Sequence, residues 1–222
     1  AMALAMDIEE PEECRPTFLR TGVTATATGS AYGEFPGSAR VLVSVFGPRP
    51  RSIDESTCLS TRVHLPFCKK KKKKGTKGGG EGGGGGREEG KEERALEMAL
   101  EAALLPSIKD DGLEKTTVEI QCTLLESLDS CHPADKALGP MILVSSIALA
   151  SSSIPLLDLV TFAELGSIKL AYMPSRDQLT YLAGYEGDWT GESLAGTMQV
   201  LVDGCKKIHP IMRKCLIDNA RS

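Results

Sequence analysis

The chain has 222 residues, of which 41% are hydrophobic and only 5% aromatic, and its formal net charge is −4. This length allows one domain, or two closely packed halves, around a sizeable core built mainly from aliphatic side chains. The charge is uneven: residues 69–94 hold ten Lys/Arg and five Asp/Glu, which leaves 16 basic against 25 acidic groups elsewhere. The globular part is therefore acidic, which excludes attraction to nucleic acid through net charge and leaves only local patches.

Seven cysteines lie at irregular spacing without a Cys-x-x-Cys pair. An odd, irregular set favours reduced thiols over a disulfide framework. Cys205 and His209 are four residues apart, but a structural zinc site needs four ligands, so we predict neither a metal nor a cofactor. Residues 1–14 lack the apolar run of a secretory signal. We predict a flexible tail over 1–14 and a cytosolic or nuclear protein.

The first elements read as strands. Threonines and small residues lead to Gly29, a strand continues over Ala31–Phe35, and the turn Phe35-Pro36-Gly37-Ser38 follows. Alternating valines from Val41 then predict a strand buried on both faces. Residues 59–65 alternate apolar and polar side chains and predict a fourth strand of the same sheet.

A low-complexity insert comes next. Six consecutive lysines repel one another and the following glycines lose much backbone entropy on ordering, so we predict disorder over residues 69–90. Three roles remain open: a solvated loop without a function, a nuclear-localisation patch, or a salt-sensitive tether for RNA phosphates. The lysines concerned are Lys69, Lys70, Lys71, Lys72, Lys73 and Lys74.

The second half alternates helices and strands. We predict a helix over 87–105, a strand over 116–125, a loop over 126–139 and a helix over about 140–150. Residues 137–157 carry no charge, but five serines and two prolines favour a buried helix over a membrane span. A short link, a hairpin over 168–183 and a last helix starting at an N-cap Thr190 follow, and Pro210 is predicted to kink or end this helix. This order predicts an α+β (mixed α/β) domain.

Three motifs in residues 15–49 carry a resemblance. An Arg15-Pro16 start, the GSAYxEF pattern from Gly29 and the VxVSVFGPR pattern from Val41 resemble RNase PH-type proteins and, among them, the ring subunits of the eukaryotic RNA exosome. The resemblance implies an RNase PH-type fold, ribosomal protein S5 domain 2-like, over 15–222. It also implies a hetero-hexameric ring with other RNase PH-like subunits, RNA-binding cap subunits, RNA as a partner and no membrane. Location in the nucleus (nucleolus) and cytoplasm, with roles in rRNA processing and mRNA decay, would follow.

The same resemblance implies a lost active site. Catalytic members hold phosphate with a GGTR-like loop, but Leu138 stands where the arginine belongs and Lys136 is the only nearby cation. They also place two aspartates six residues apart before a strand, and counting back from Ile168 puts Phe162 and Ile168 at those positions. The alternative is an active phosphate-dependent 3′-to-5′ exoribonuclease that uses Lys136 with Asp158 and Glu164, which are also six apart.

Two arginines are candidates for contact with RNA. By resemblance, the loop after the third strand faces the RNA channel, so Arg49 and Arg51 either contact the RNA backbone or are ordinary solvated arginines. A third hypothesis for the function is a free-standing RNA-binding protein that acts through the lysine-rich insert.

Only eleven residues separate Val160 from Tyr172, too few for the additional strand and acidic loop usual in the family. Either the strand is absent or the sequence is incomplete there.

Overall fold

The computed structural model describes residues 14–37, 39–51, 58–65, 89–109, 113, 115–127, 133–184 and 191–220. Apart from Cys14, the predicted tail 1–14 lies outside them, as does most of the predicted insert. Residues 89 and 90 are already helical, so the prediction of disorder through residue 90 was wrong at its end.

Five strands form the first sheet, in the order β1-β2-β3-β5-β4. Neighbours run antiparallel except β4 and β5, which are parallel. The strand over 59–64 joins this sheet as predicted, but β5 lies between it and β3. The reason is the crossover through α1, which brings β5 back parallel to β4. The bounds are Phe18–Thr21 (β1), Gly29–Glu34 (β2), Ala39–Pro50 (β3), Leu59–His64 (β4) and Thr116–Ser127 (β5), with α1 over Glu89–Leu104.

The second helix, α2, spans Pro133–Ser151, so the predicted loop over 126–139 was wrong from residue 133 onward, and residues 128–132 lie outside the described ranges. Its first seven residues are helical because Pro133 suits the start of a helix and Ala134, Lys136 and Ala137 are good helix formers. Pro140 lies inside the helix and is buried by the surrounding core. Met141 to Leu149 are all buried, which agrees with the predicted buried helix. No helix in the described part of the chain combines the length and apolarity that a membrane crossing requires.

Three antiparallel strands form the second sheet, in the order β6-β7-β8, with bounds Thr161–Leu165, Ile168–Met173 and Gln178–Ala183. The predicted hairpin is β7–β8. The predicted link before it contains β6, which the sequence reading missed. Gly166, with φ at 59°, closes a tight turn from β6 into β7. The eleven-residue interval therefore contains a strand, even though it is short.

The last helix, α3, runs without a break over Gly191–Ala220. Of the two predicted effects of Pro210, a kink or an end of the helix, the predicted end was therefore wrong. Thr190, the predicted N-cap, lies outside the described residues. The predicted buried stripe is confirmed: Leu201, Cys205 and Ile208 are fully buried. Met212 continues the buried stripe beyond the proline. Tertiary packing on both sides of Pro210 compensates for the lost backbone hydrogen bond.

The elements stack in four layers: first sheet, α1 with α2, second sheet, α3. The main core lies between the two sheets around α2, and a smaller cluster joins the second sheet to α3. Gly29 permits the close approach of β2 to α2, because a Cβ there would lie 2.5 Å from the Ala148 carbonyl oxygen. The C-terminal half of α3 reaches α2 and β1.

Candidate functional site

The start of α2 contacts β6 directly. A Cβ at Gly139 would lie 2.6 Å from two atoms of the Phe162 ring, so only glycine fits between the helix and the strand. Leu138 is 4% exposed and Phe162 is 1% exposed. The position that resemblance assigns to a phosphate-binding arginine thus holds a buried leucine, beside an equally buried phenylalanine. An apolar site of this kind stabilises neither a phosphate nor a charged transition state.

The two positions assigned to the carboxylate pair lie on opposite faces of the second sheet. Cross-strand register pairs Phe162 with Ala171, in the main core, whereas Leu165 pairs with Ile168, in the cluster against α3. Side chains that project to opposite faces cannot act on one substrate. Neither the residue types nor the geometry at 162 and 168 supplies an acid, a base or a metal ligand.

The alternative carboxylates, Asp158 and Glu164, are not brought together either. Glu164 lies near the β6–β7 turn, where it is paired in register with Lys169. Asp158 precedes the other end of β6 and accepts hydrogen bonds from the Ser175 amide at 2.6 Å and the Ser175 hydroxyl at 3.0 Å. His209 Nε2 lies 3.3 Å from the same carboxylate, whose side chain is 7% exposed. Asp158 therefore joins α3 to the β7–β8 turn, a role that no sequence pattern indicated.

The glutamates of α1 also have a structural role. Glu97 accepts a hydrogen bond from the Val63 amide at 3.0 Å, and Glu93 accepts one from the Leu65 amide at 3.2 Å. Both amides belong to the β4 side of the sheet, which α1 covers. Helix α1 thus directs two carboxylates at the β4 side of the first sheet. Lys136, in the first turn of α2, is exposed.

The two candidate RNA-binding arginines lie at the end of β3. Arg49 Nε is 3.8 Å from Glu119, which also lies 3.3 Å from Arg62. Arg51 donates through its guanidinium to the Thr116 carbonyl oxygen at 3.1 Å. Arg49 remains 38% exposed at its side chain, so it can reach a solvent-borne anion. The other candidates, Lys69 to Lys74, lie outside the described residues.

In the described ranges, no group of three or more His, Cys, Asp or Glu side chains is placed to hold a metal ion. Cys205 is buried between the second sheet and α3, and burial raises the pKa of its thiol to about 12. His209 instead faces Asp158. The five described cysteines, Cys14, Cys58, Cys122, Cys205 and Cys215, are free thiols.

The two sheets and their helices form an α+β fold, and the GSAYxEF and VxVSVFGPR motifs lie on β2 and β3. Comparison with known families identifies the class of protein. The model of the RNase PH family, described as "3' exoribonuclease family, domain 1", matches residues 13–155. This chain belongs to the RNase PH family. The RNase PH-type fold implied by the three motifs is therefore confirmed.

Relatives of this chain within the family include proteins named as components of the exosome complex. The chain is 31% identical to the "Exosome complex component RRP41-like" protein of Arabidopsis thaliana, over 94% of this chain and 82% of the relative. It is 26% identical to the "Exosome complex component MTR3" of Mus musculus, over 96% and 86%. The crystal structure of rice Rrp46 superposes with a TM-score of 0.64 at 18% identity, covering 93% of this chain and 96% of that one, which supports the fold.

Proposed function

We propose that this chain is a non-catalytic ring subunit of the RNA exosome, of the mRNA-transport-regulator type (exosome component six). In this role it supports 3′-to-5′ RNA processing and degradation, including rRNA processing and mRNA decay. Its partners are other RNase PH-like subunits in a hetero-hexameric ring, together with RNA-binding cap subunits. The proposal includes a location in the nucleus (nucleolus) and cytoplasm.

One observation carries the proposal. Leu138, Phe162 and Ile168 are all buried apolar residues at the positions where resemblance expects an arginine and two carboxylates. Phosphorolysis needs cations or hydrogen-bond donors at the phosphate and groups that move protons or hold a metal. A chain that keeps the fold of the family while the residues at these positions are buried in the core is best suited to a structural role in a complex.

The RNA contact is proposed for Arg49 and Arg51. Support comes from the exposed part of the Arg49 side chain and from its place at the end of β3. Glu119, which lies between Arg49 and Arg62, offsets part of this positive charge, so the expected contact is with the phosphate backbone and is weakened by salt.

Co-expression of the full chain with the other RNase PH-like subunits of its source tests the proposal. We expect the chain to co-purify with them and to elute as part of a ring-sized complex in size-exclusion chromatography. A chain that elutes alone as a monomer, in the presence of all these subunits, would refute a ring function.

An active phosphate-dependent exoribonuclease is the second candidate, favoured by the description of the matching family as 3′ exoribonucleases. Incubation of the chain and its complex with RNA and inorganic phosphate distinguishes the two. If the chain is non-catalytic, the isolated chain should release no nucleoside diphosphate. The Asp158→Asn substitution should then leave the activity of the complex unchanged. Release of nucleoside diphosphate that depends on Asp158 would support the enzyme.

A further inference from the structure

The outer face of the first sheet, opposite α1 and α2, carries a compact cluster of aromatic and basic side chains. We call Phe18, Arg20, Tyr32 and Leu42 the outer cluster. We propose that the outer cluster is the surface through which this chain docks another folded protein subunit, one that presents apolar side chains with a carboxylate opposite Arg20. The proposal rests on the proposed function and deepens it by naming a docking surface.

The sheet register assembles the cluster. Arg20 is paired with Tyr32, and Tyr32 with Leu42, so the three lie in one row across β1, β2 and β3. Phe18 lies two residues before Arg20 and therefore projects to the same face. Its ring centroid is 6.2 Å from that of Tyr32, with the rings tilted by 59°. The aromatic pair and the leucine thus form one continuous apolar area.

This area is open to solvent. Phe18 is 47% exposed although it is among the largest apolar side chains of the sheet. The loop before β2 covers the neighbouring part of the face, where Thr24 bonds to Ser30 and Ser44, but it leaves the outer cluster accessible. The solvent face of an antiparallel sheet normally carries polar side chains. An exposed Phe18 and Arg20 beside a half-buried Tyr32 instead match the composition of protein interface cores.

Charge selects the kind of partner. Arg40, on the next row, is engaged by Glu126 at 2.8 Å and Glu34 at 3.8 Å. Arg20 is exposed and has no ion pair or hydrogen bond among the described residues. A partner that covers the cluster would desolvate this guanidinium and therefore has to supply a carboxylate.

RNA fits the cluster less well than a protein does. Glu34 lies directly across from Phe18 and accepts the Tyr32 hydroxyl at 2.6 Å. A carboxylate inside the aromatic area repels phosphates, and bases stacked on Phe18 would bring phosphates close to it. The same carboxylate is harmless to a protein partner because Arg40 lies beside it.

The test compares full-length variants co-expressed with the RNase PH-like subunits of the same source. Phe18→Asp and Arg20→Glu are expected to reduce the amount of chain recovered in the complex by about 30-fold or more, as substitutions at interface hot spots do. Matched controls are Leu179→Asp, an equally exposed apolar position on the second sheet, and Arg176→Glu, an exposed arginine of the β7–β8 turn. Both controls are expected to assemble normally.

Each result has a defined meaning. Thermal unfolding of the isolated variants checks folding, and Arg20→Glu, being a surface change, gives a second reading if Phe18→Asp unfolds. If the wild type fails to assemble, the proposed function falls and this docking surface with it. Normal assembly of both outer-cluster variants, while the wild type assembles, overturns the docking surface alone. Loss of single-stranded RNA binding with assembly intact, or conversion of a wild-type homodimer to a monomer, would also overturn it, in favour of RNA or of a second copy.

Discussion

Asp158 illustrates how a residue can resemble a catalytic group and serve another purpose. Its spacing from Glu164 fits a carboxylate pair, yet its nearly buried side chain faces Ser175 and His209. These contacts link three segments that are distant in sequence: the loop before β6, the β7–β8 turn and α3. Sequence spacing alone could not reveal them, because partners so far apart are chosen by tertiary packing.

Replacement of Asp158 by alanine is expected to lower the free energy of unfolding by about 3 kcal/mol, because hydrogen bonds to a charged acceptor contribute about 1.5–3 kcal/mol each. Urea denaturation of the purified chain measures the change. Asp203→Ala is the control, since Asp203 is exposed and bonds only to Gln199 at 3.2 Å, also in solvent. The control should change stability by less than about 0.5 kcal/mol. Equal effects of the two substitutions would contradict the structural role of Asp158.

For helix α3, the sequence predicts the buried face correctly but not the length. Its apolar stripe was predicted correctly from helical spacing, because one face repeats every three or four residues. The length of the helix was not predicted correctly. Pro210 lowers the stability of a helix, but the burial of Ile208 and Met212 on either side of it outweighs this loss. The start of α2 and the short strand β6 were missed for a related reason: Gly139-Pro140 and a five-residue segment give weak local signals.

Pro210→Ala is expected to stabilise the chain. Alanine restores an amide that can donate to the Lys206 carbonyl, and it removes the clash between the proline ring and that carbonyl. These two gains outweigh the loss of stability that comes from the greater conformational entropy of the unfolded chain. Because Pro210 is exposed, no core packing is lost. The net gain should be about 1–2 kcal/mol, measured by urea denaturation.

Pro106→Ala provides the comparison within the same chain. Pro106 is exposed and lies in the short 3-10 helix Leu105–Ser107, at a starting position that favours proline. Its replacement is expected to destabilise slightly. A destabilising effect of Pro210→Ala, as large as that of Pro106→Ala or larger, would show that Pro210 is required where it stands.

The four-layer arrangement has three interfaces between layers, and two of them contain a buried thiol. Cys122 projects from β5 into the core around α2, and Cys205 projects from α3 into the smaller cluster. Burial raises the pKa of each thiol from 9.0 to about 12. The sequence did indicate reduced cysteines, but which layers they join follows only from the stacking of the two sheets.

Stability should therefore be independent of these thiols at neutral pH and fall in alkali. Below pH 9 both are protonated whether the chain is folded or not. Between about pH 9 and 12 the unfolded chain releases protons that the folded chain retains, so each thiol costs up to about 1.4 kcal/mol per pH unit. Urea denaturation between pH 8 and about 10.5 measures this slope. Cys122→Ala should make it shallower, and an unchanged slope would mean that Cys122 ionises freely in the folded chain.

The hydrogen bonds from Val63 and Leu65 to the glutamates of α1 have a consequence for how this protein behaves when concentrated. An uncovered strand offers its amides as a template for a strand of another molecule, and repeated addition at both sides of a sheet produces a fibre. At β4 these two donors are already taken by side chains of the same chain. These two positions on the β4 side of the first sheet are therefore closed to a foreign strand, which disfavours growth from that side.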